Sequence, residues 1–159
     1  MTVIARASIG VAVRRGAPKP DISSPEALKR ALLDAKSIAY GDPAQSASGS
    51  HFAKVLDRLG ITNEMKPKTV VTKTPGEIGA LVANGETELG VNQIQDFVQT
   101  PGVEIAGPLP TDLQNTVVFS AVIIAGADNA GASKALVNFL RTPEATAVIK
   151  AKGLEPATP

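Results

Sequence analysis

Residues 37–59 read SIAYGDPAQSASGSHFAKVLDRL, and how this stretch divides decides the fold. Ser37 to Tyr40 is a short apolar run suited to a buried strand. Phe52, Val55, Leu56 and Leu59 recur at helical spacing, and Gly60 is placed to stop that helix. The loop between them is polar and built of small residues. The stretch is therefore a strand–loop–helix unit.

The same alternation extends in both directions. Upstream, Ile4 to Val13 is rich in β-branched residues and predicts one strand ending at Arg14, Arg15 and Gly16. In SSPEALKRALLDAK, Ser23 stands three residues before Glu26, a capping-box spacing, and Pro25 suits a first helical turn. Downstream, Thr69–Thr72 predicts a strand. Thr74, Pro75, Gly76 and Glu77 repeat the capping pattern before the apolar residues Ile78, Leu81 and Val82. Leu89–Ile94, Val103–Ala106 and the very apolar Val117–Ala125 predict further strands. Ser133–Leu140, with a restart at Thr142-Pro143-Glu144, predicts the closing helices. Strands separated by helices of roughly 8–14 residues argue for an α/β fold with a mostly parallel sheet flanked by helices.

Composition narrows the function. Of 159 residues, 43% are hydrophobic and 19% charged, as in ordinary globular proteins, and the net charge of +1 leaves no basic surface for nucleic acid. With no cysteine, disulfides and thiolate chemistry are excluded. The stretch MTVIARASIGVAVRRG is interrupted by Arg6 and Ser8 and lacks the form of a signal peptide, so the chain as written is expected in the cytosol. The apolar run 116–127 is too short to span a bilayer, and no direct membrane insertion is expected.

In open α/β sheets, ligands sit beyond the C-terminal ends of strands, where helix N-termini favour anions. Three places have that form. In the first, Gly49 lets a ligand approach the backbone, and Ser46, Ser48 and Ser50 offer hydroxyls. The other reading of this loop is that Ser48 only caps the helix. The second is Thr74–Glu77, where Thr74 or the Gly76 amide could meet a ligand, although Glu77 repels anions. The third is Asn92 to Asp96, where side-chain amides close a buried strand; a solvated strand exit fits equally well. Neither a P-loop nor a dinucleotide fingerprint is present. His51, the only histidine, has no acidic partner nearby, so a surface place is expected and neither catalysis nor a metal site is supported.

Together SIGVAVRRGAPKPDISSPEALKRALL, SIAYGDPAQSASGSHFAKVLDRLGI, ALVANGETELGVNQIQD and ALVNFLRTPEATAVIKAKGLEP resemble the type 2 periplasmic solute-binding proteins of ABC importers, in particular the molybdate-binding branch. The resemblance implies a two-lobed fold with a ligand cleft. It assigns 1–13 to a crossover strand, 14–115 to a complete second lobe, and 116–159 to the returning strand and C-terminal helices of a partial first lobe. It further implies a periplasmic location, an ABC permease as partner, and a small anion or polar solute held near Ser46, Ser48, Gly49, Ser50, Thr74, Gly76 and Gln93, with no cofactor. Molybdate binders carry tyrosine where Gln93 stands. That departure points away from molybdate and keeps the broader ligand class. A partial lobe would expose apolar surface, so a homodimer is expected. The alternative function is a stand-alone effector-sensing or scaffold protein reusing the fold.

Overall fold

In the computed structural model, which describes residues 1–157, the chain forms two compact units. One comprises Met1–Ala7 and the chain from Thr116 onward; the other is Ser8–Asn115.

The larger unit is built on a five-stranded sheet. Its strands are β2 (Ile9–Arg14), β3 (Ile38–Gly41), β4 (Thr69–Thr72), β5 (Leu89–Gln93) and β6 (Val103–Pro108), in the order β4-β3-β5-β2-β6. β3 pairs parallel with β4 and β5, while β2 runs antiparallel to both β5 and β6. Four strands thus share one direction and β2 is reversed among them, so the expected α/β sheet is mostly parallel in strand direction but mixed in pairing. The helices are α1 (Pro25–Asp34), α2 (Ala47–Leu59), α3 (Thr62–Met65), α4 (Pro75–Ala83) and the short α5 (Ile94–Val98).

Side-chain alternation along the strands feeds two cores. Val11 and Val13 of β2, with Ile38 and Tyr40 of β3, pack against Leu28 and Leu32 of α1 and Phe52, Val55 and Leu56 of α2. Tyr40 and Phe52 meet edge to face, their centroids 5.2 Å apart. On the other face the sheet offers small residues, Ala12 and Ala39, to Ile78 and Val82 of α4 and Phe97 of α5. Gly90 belongs to this smooth face: a Cβ there would lie 2.7 Å from Val82 Cγ2.

Several local expectations need correction. The expected single strand Ile4–Val13 is broken at Ser8 into β1 (Thr2–Ala7) and β2, which belong to different sheets. Helix α1 is capped by Ser24, whose Oγ accepts from Ala27 N; Ser23 instead turns back to Asp21 through both its amide and its hydroxyl. Helix α2 begins at Ala47 and is capped by Ser46, because the amide to be satisfied, that of Gly49, is three residues on. His51 is no free surface group: its Nε2 lies 2.6 Å from the Leu113 carbonyl. A carbonyl only accepts, so Nε2 carries the proton.

In the smaller unit, β1 lies between β7 (Val117–Ala121) and β8 (Glu155–Pro156), antiparallel to both. The strand expected to reach Ala125 ends at Ala121. Helices α6 (Ala130–Phe139) and α7 (Pro143–Ala151) follow, and α6 buries none of its residues. Val118, Phe119, Val122, Ile124, Leu136 and Phe139 are all exposed.

Candidate functional site

The C-terminal ends of β3, β4 and β5 converge on one hollow of about 220 Å³. It is lined by Gly41 and Gln45–Ser48 from the loop leading into α2 and that helix's first turn, by Thr72–Pro75 and Ile78 from the β4–α4 junction, and by Asn92, Gln93 and Asp96 from the end of β5. Each junction turns from strand to helix at this level, so the N-termini of α2 and α4 open beside the hollow. The first helical bond of α2 is Ser50 N to Ser46 O, which leaves the amides of Ala47 and Ser48 without helical partners.

The loop into α2 is folded by Asp42, whose carboxylate accepts from Ala44 N at 2.9 Å and whose carbonyl accepts from Ser46 N at 2.8 Å. Beyond it runs a chain of side-chain bonds. Gly49 N donates to Ser46 Oγ at 3.1 Å, Ser46 and Ser48 hydroxyls stand 3.0 Å apart, and Ser48 Oγ donates to Asn92 Oδ1 at 3.1 Å. Ser48 has a single hydroxyl proton and gives it to Asn92, so the proton between the two serines comes from Ser46. Both hydroxyl protons are committed inside the protein. Asn92 Nδ2 reaches the Pro75 carbonyl at 3.5 Å, which ties all three junctions together.

The structure brings four of the expected residues to the hollow: Ser46, Ser48, Thr74 and Gln93. The Thr74 hydroxyl donates to Glu77 Oε1 at 3.0 Å, and Gln93 Oε1 accepts from the Gln95 amide. Gly49, Ser50 and Gly76 do not line it. Gly49 is glycine for packing, since a Cβ there would collide with the Gly41 carbonyl oxygen. Ser50 lies past the first turn, and Gly76 stands with open space around it. Lining residues that the reading by motif passed over are Gly41, Gln45, Thr72, Lys73 and Ile78; Asn92 and Asp96 belonged to the stretch noted at the end of β5.

Three of these set the electrostatics. Lys73 brings the only cationic side chain to the lining. Thr72 is 3% exposed, and its Oγ1 has no partner among the described residues. Asp96 brings a carboxyl that burial pushes above its ordinary value, opposed by a hydrogen bond from Asn92. No cluster of three metal-binding side chains occurs among the described residues. The arrangement suits a small solute with oxygens for Lys73, the Thr72 hydroxyl and the open amides of α2.

The family model for bacterial extracellular solute-binding proteins matches residues 1–155. Over 150 residues the chain is 36% identical to an aconitate isomerase from Pseudomonas sp., covering 93% of this chain and 55% of that protein. It is 29% identical to the molybdate-binding protein ModA of Escherichia coli K12 over 122 residues, 77% of this chain and 47% of ModA. The chain thus spans about half the length of the curated relatives it matches. Among solved structures, the substrate-binding domain of a proposed molybdenum ABC transporter from Clostridium difficile superposes with a TM-score of 0.83 at 17% identity, over 98% of this chain and 66% of that one. The tungstate-binding protein TupA of Desulfovibrio alaskensis G20 gives 0.65 at 13% identity, over 99% and 70%.

Proposed function

This chain belongs to the bacterial extracellular solute-binding proteins, and we propose that it holds a small oxyanion or other small polar anion in the hollow at the ends of β3, β4 and β5. One observation carries this reading: Thr72, whose buried hydroxyl has no partner among the described residues, lines the same hollow as Lys73 and as Ala47 and Ser48, whose amides have no helical partner. A buried hydroxyl without a partner is costly, and a ligand oxygen would satisfy it. Relatives named for molybdate and tungstate binding support an oxyanion, and the aconitate isomerase supports a small carboxylate.

The proposal extends to an ABC permease as partner, a periplasmic place of action, and a second copy of the chain meeting the exposed apolar side chains of the smaller unit. No helix among the described residues is long and apolar enough to cross a membrane. The test is equilibrium titration with molybdate, tungstate, sulfate, phosphate and small carboxylates. Saturable binding weakened by both Thr72→Val and Lys73→Ala is expected. No binding at millimolar concentration, or binding indifferent to both changes, would overturn it.

A second reading follows from the 36% identity with an aconitate isomerase, namely turnover of a small unsaturated carboxylate. It is checked by following the isomers of aconitate chromatographically in the presence of the protein. Unchanged isomer ratios beside measurable binding would leave a binder without catalysis.

A further inference from the structure

Resting on that reading of the hollow, we propose that its ligand carries a hydrogen-bond donor as well as negative charge, and that Asp96 accepts that donor. The chemistry is that of an anion with an O–H group, whether the hydroxyl of a hydroxycarboxylate or the proton of monohydrogen phosphate. It is not that of a fully ionised oxyanion.

The inference comes from counting donors and acceptors around the hollow. On the donating side stand Lys73, the Gln93 side-chain amide, whose oxygen alone is engaged among the described residues, the Thr72 hydroxyl and the open amides of α2. The hydroxyls that would complete an all-donor cradle are unavailable. Ser48 gives its proton to Asn92, Ser46 gives its own to Ser48, and Thr74 gives its own to Glu77. On the accepting side stands Asp96, the one acidic side chain in the lining.

Asp96 is not neutralised by the protein. It forms no ion pair among the described residues; Lys73 shares the lining with it, and Glu77 stands on the first turn of α4. Asn92 supplies one hydrogen bond to the carboxyl, whereas a carboxylate has about four lone-pair sites. Acceptor capacity therefore remains on a carboxyl that lines the hollow.

A fully ionised oxyanion offers only acceptors. Against half-buried Asp96 it would set lone pair against lone pair, where partial burial already disfavours the carboxylate's own charge. A ligand O–H placed between them turns the repulsion into a charge-assisted hydrogen bond. The carboxylate thus acts as a filter, penalising donor-free anions and favouring donor-bearing ones of the same size.

Matched pairs test this on the unaltered protein: malate against succinate, citrate against tricarballylate, and phosphate against sulfate, each titrated at pH 8 and followed by NMR shifts. Within the pair or pairs that bind, the donor-bearing member should bind about tenfold tighter or more, the span of one hydrogen bond to a charged acceptor. Asp96→Asn, its fold checked by Tm, should erase the preference, because the amide offers a donor where the carboxylate accepted. If donor-free members bind as tightly as their partners, and Thr72→Val still weakens them, the donor requirement is wrong while the anion site stands. A preference that persists in Asp96→Asn overturns the role of Asp96. If no member binds at millimolar concentration, the anion reading fails and this inference with it.

Discussion

Ser48 and Asn92, 44 residues apart in sequence and 2% and 3% exposed, are joined by a side-chain hydrogen bond of 3.1 Å. The bond fastens the first turn of α2 to the end of β5. Ser48→Ala would leave Asn92 Oδ1 buried without a donor, at a cost of about 1–3 kcal/mol. Urea unfolding at neutral pH should show that loss. A change below about 0.5 kcal/mol, the size of an ordinary surface substitution, would mean that water replaces the serine.

Gly49 is held against the Gly41 carbonyl, and backbone cannot move aside as a flexible side chain can. Gly49→Ala should destabilise the protein by roughly 1–3 kcal/mol, as other overpacked sites do. Gly76→Ala meets open space and should leave stability within about 0.5 kcal/mol. Thermal unfolding of the two variants side by side checks the contrast.

Thr72→Val removes an unpartnered buried hydroxyl at nearly constant shape. Stability should hold or rise by about 1 kcal/mol, because the desolvation penalty disappears with the group. Anion affinity should fall in the same variant. That opposition between stability and binding would mark the hydroxyl as a ligand group, since a purely structural hydroxyl would lower both when removed.

Burial raises the Asp96 carboxyl above 3.8, so the folded state binds its proton more tightly than the unfolded chain does. The contribution is fully present below pH 3.8 and is lost as pH rises through the folded value. Asp96→Asn should therefore be more stable than the unaltered protein at pH 7, with the gap closing towards acid. Asp21 runs the other way. The Ser23 hydroxyl and amide hold it below 3.8, so its contribution is present above that pH and fades as pH falls. Tm measured against pH for the Asp96 variant reads the first effect separately.

Phe119, Val122, Leu136 and Phe139 stand exposed in the smaller unit. Exposed apolar side chains in this number favour association, and we expect a second copy of the chain to cover them. Sedimentation at micromolar concentration should give a dimer, and the double substitution Phe119→Asp and Leu136→Asp should give a monomer. A monomeric unaltered protein would remove the proposal.

Much of the fold was legible wherever the signal is local. Pro25, Pro75 and Pro143 each open a helix, and Gly60 closes α2 at φ 69°. A short apolar run identified β3, and side-chain period identified α2, without any knowledge of their partners. Signals between distant residues were not legible. The β-branched run through Ser8 gives no hint that the strand changes sheets there. α5 is too short, at five residues, to show a period. The alternating serines hid which one caps α2, because the choice depends on the Gly49 amide, and the Ser48–Asn92 bond depends on β3 and β5 lying side by side.

Gln114 grips Ile9 from both sides of its peptide, accepting from its amide at 2.9 Å and donating to its carbonyl at 2.8 Å. The two residues lie near the first and last positions of the unit Ser8–Asn115. A stretch of chain whose entrance and exit are buckled by its own side chain behaves as a cassette. Excised at Ser8 and Asn115, or spliced into the loop of an unrelated host, it is expected to fold with its ends already held together. Gln114→Ala would loosen that buckle and leave the sheet behind it in place.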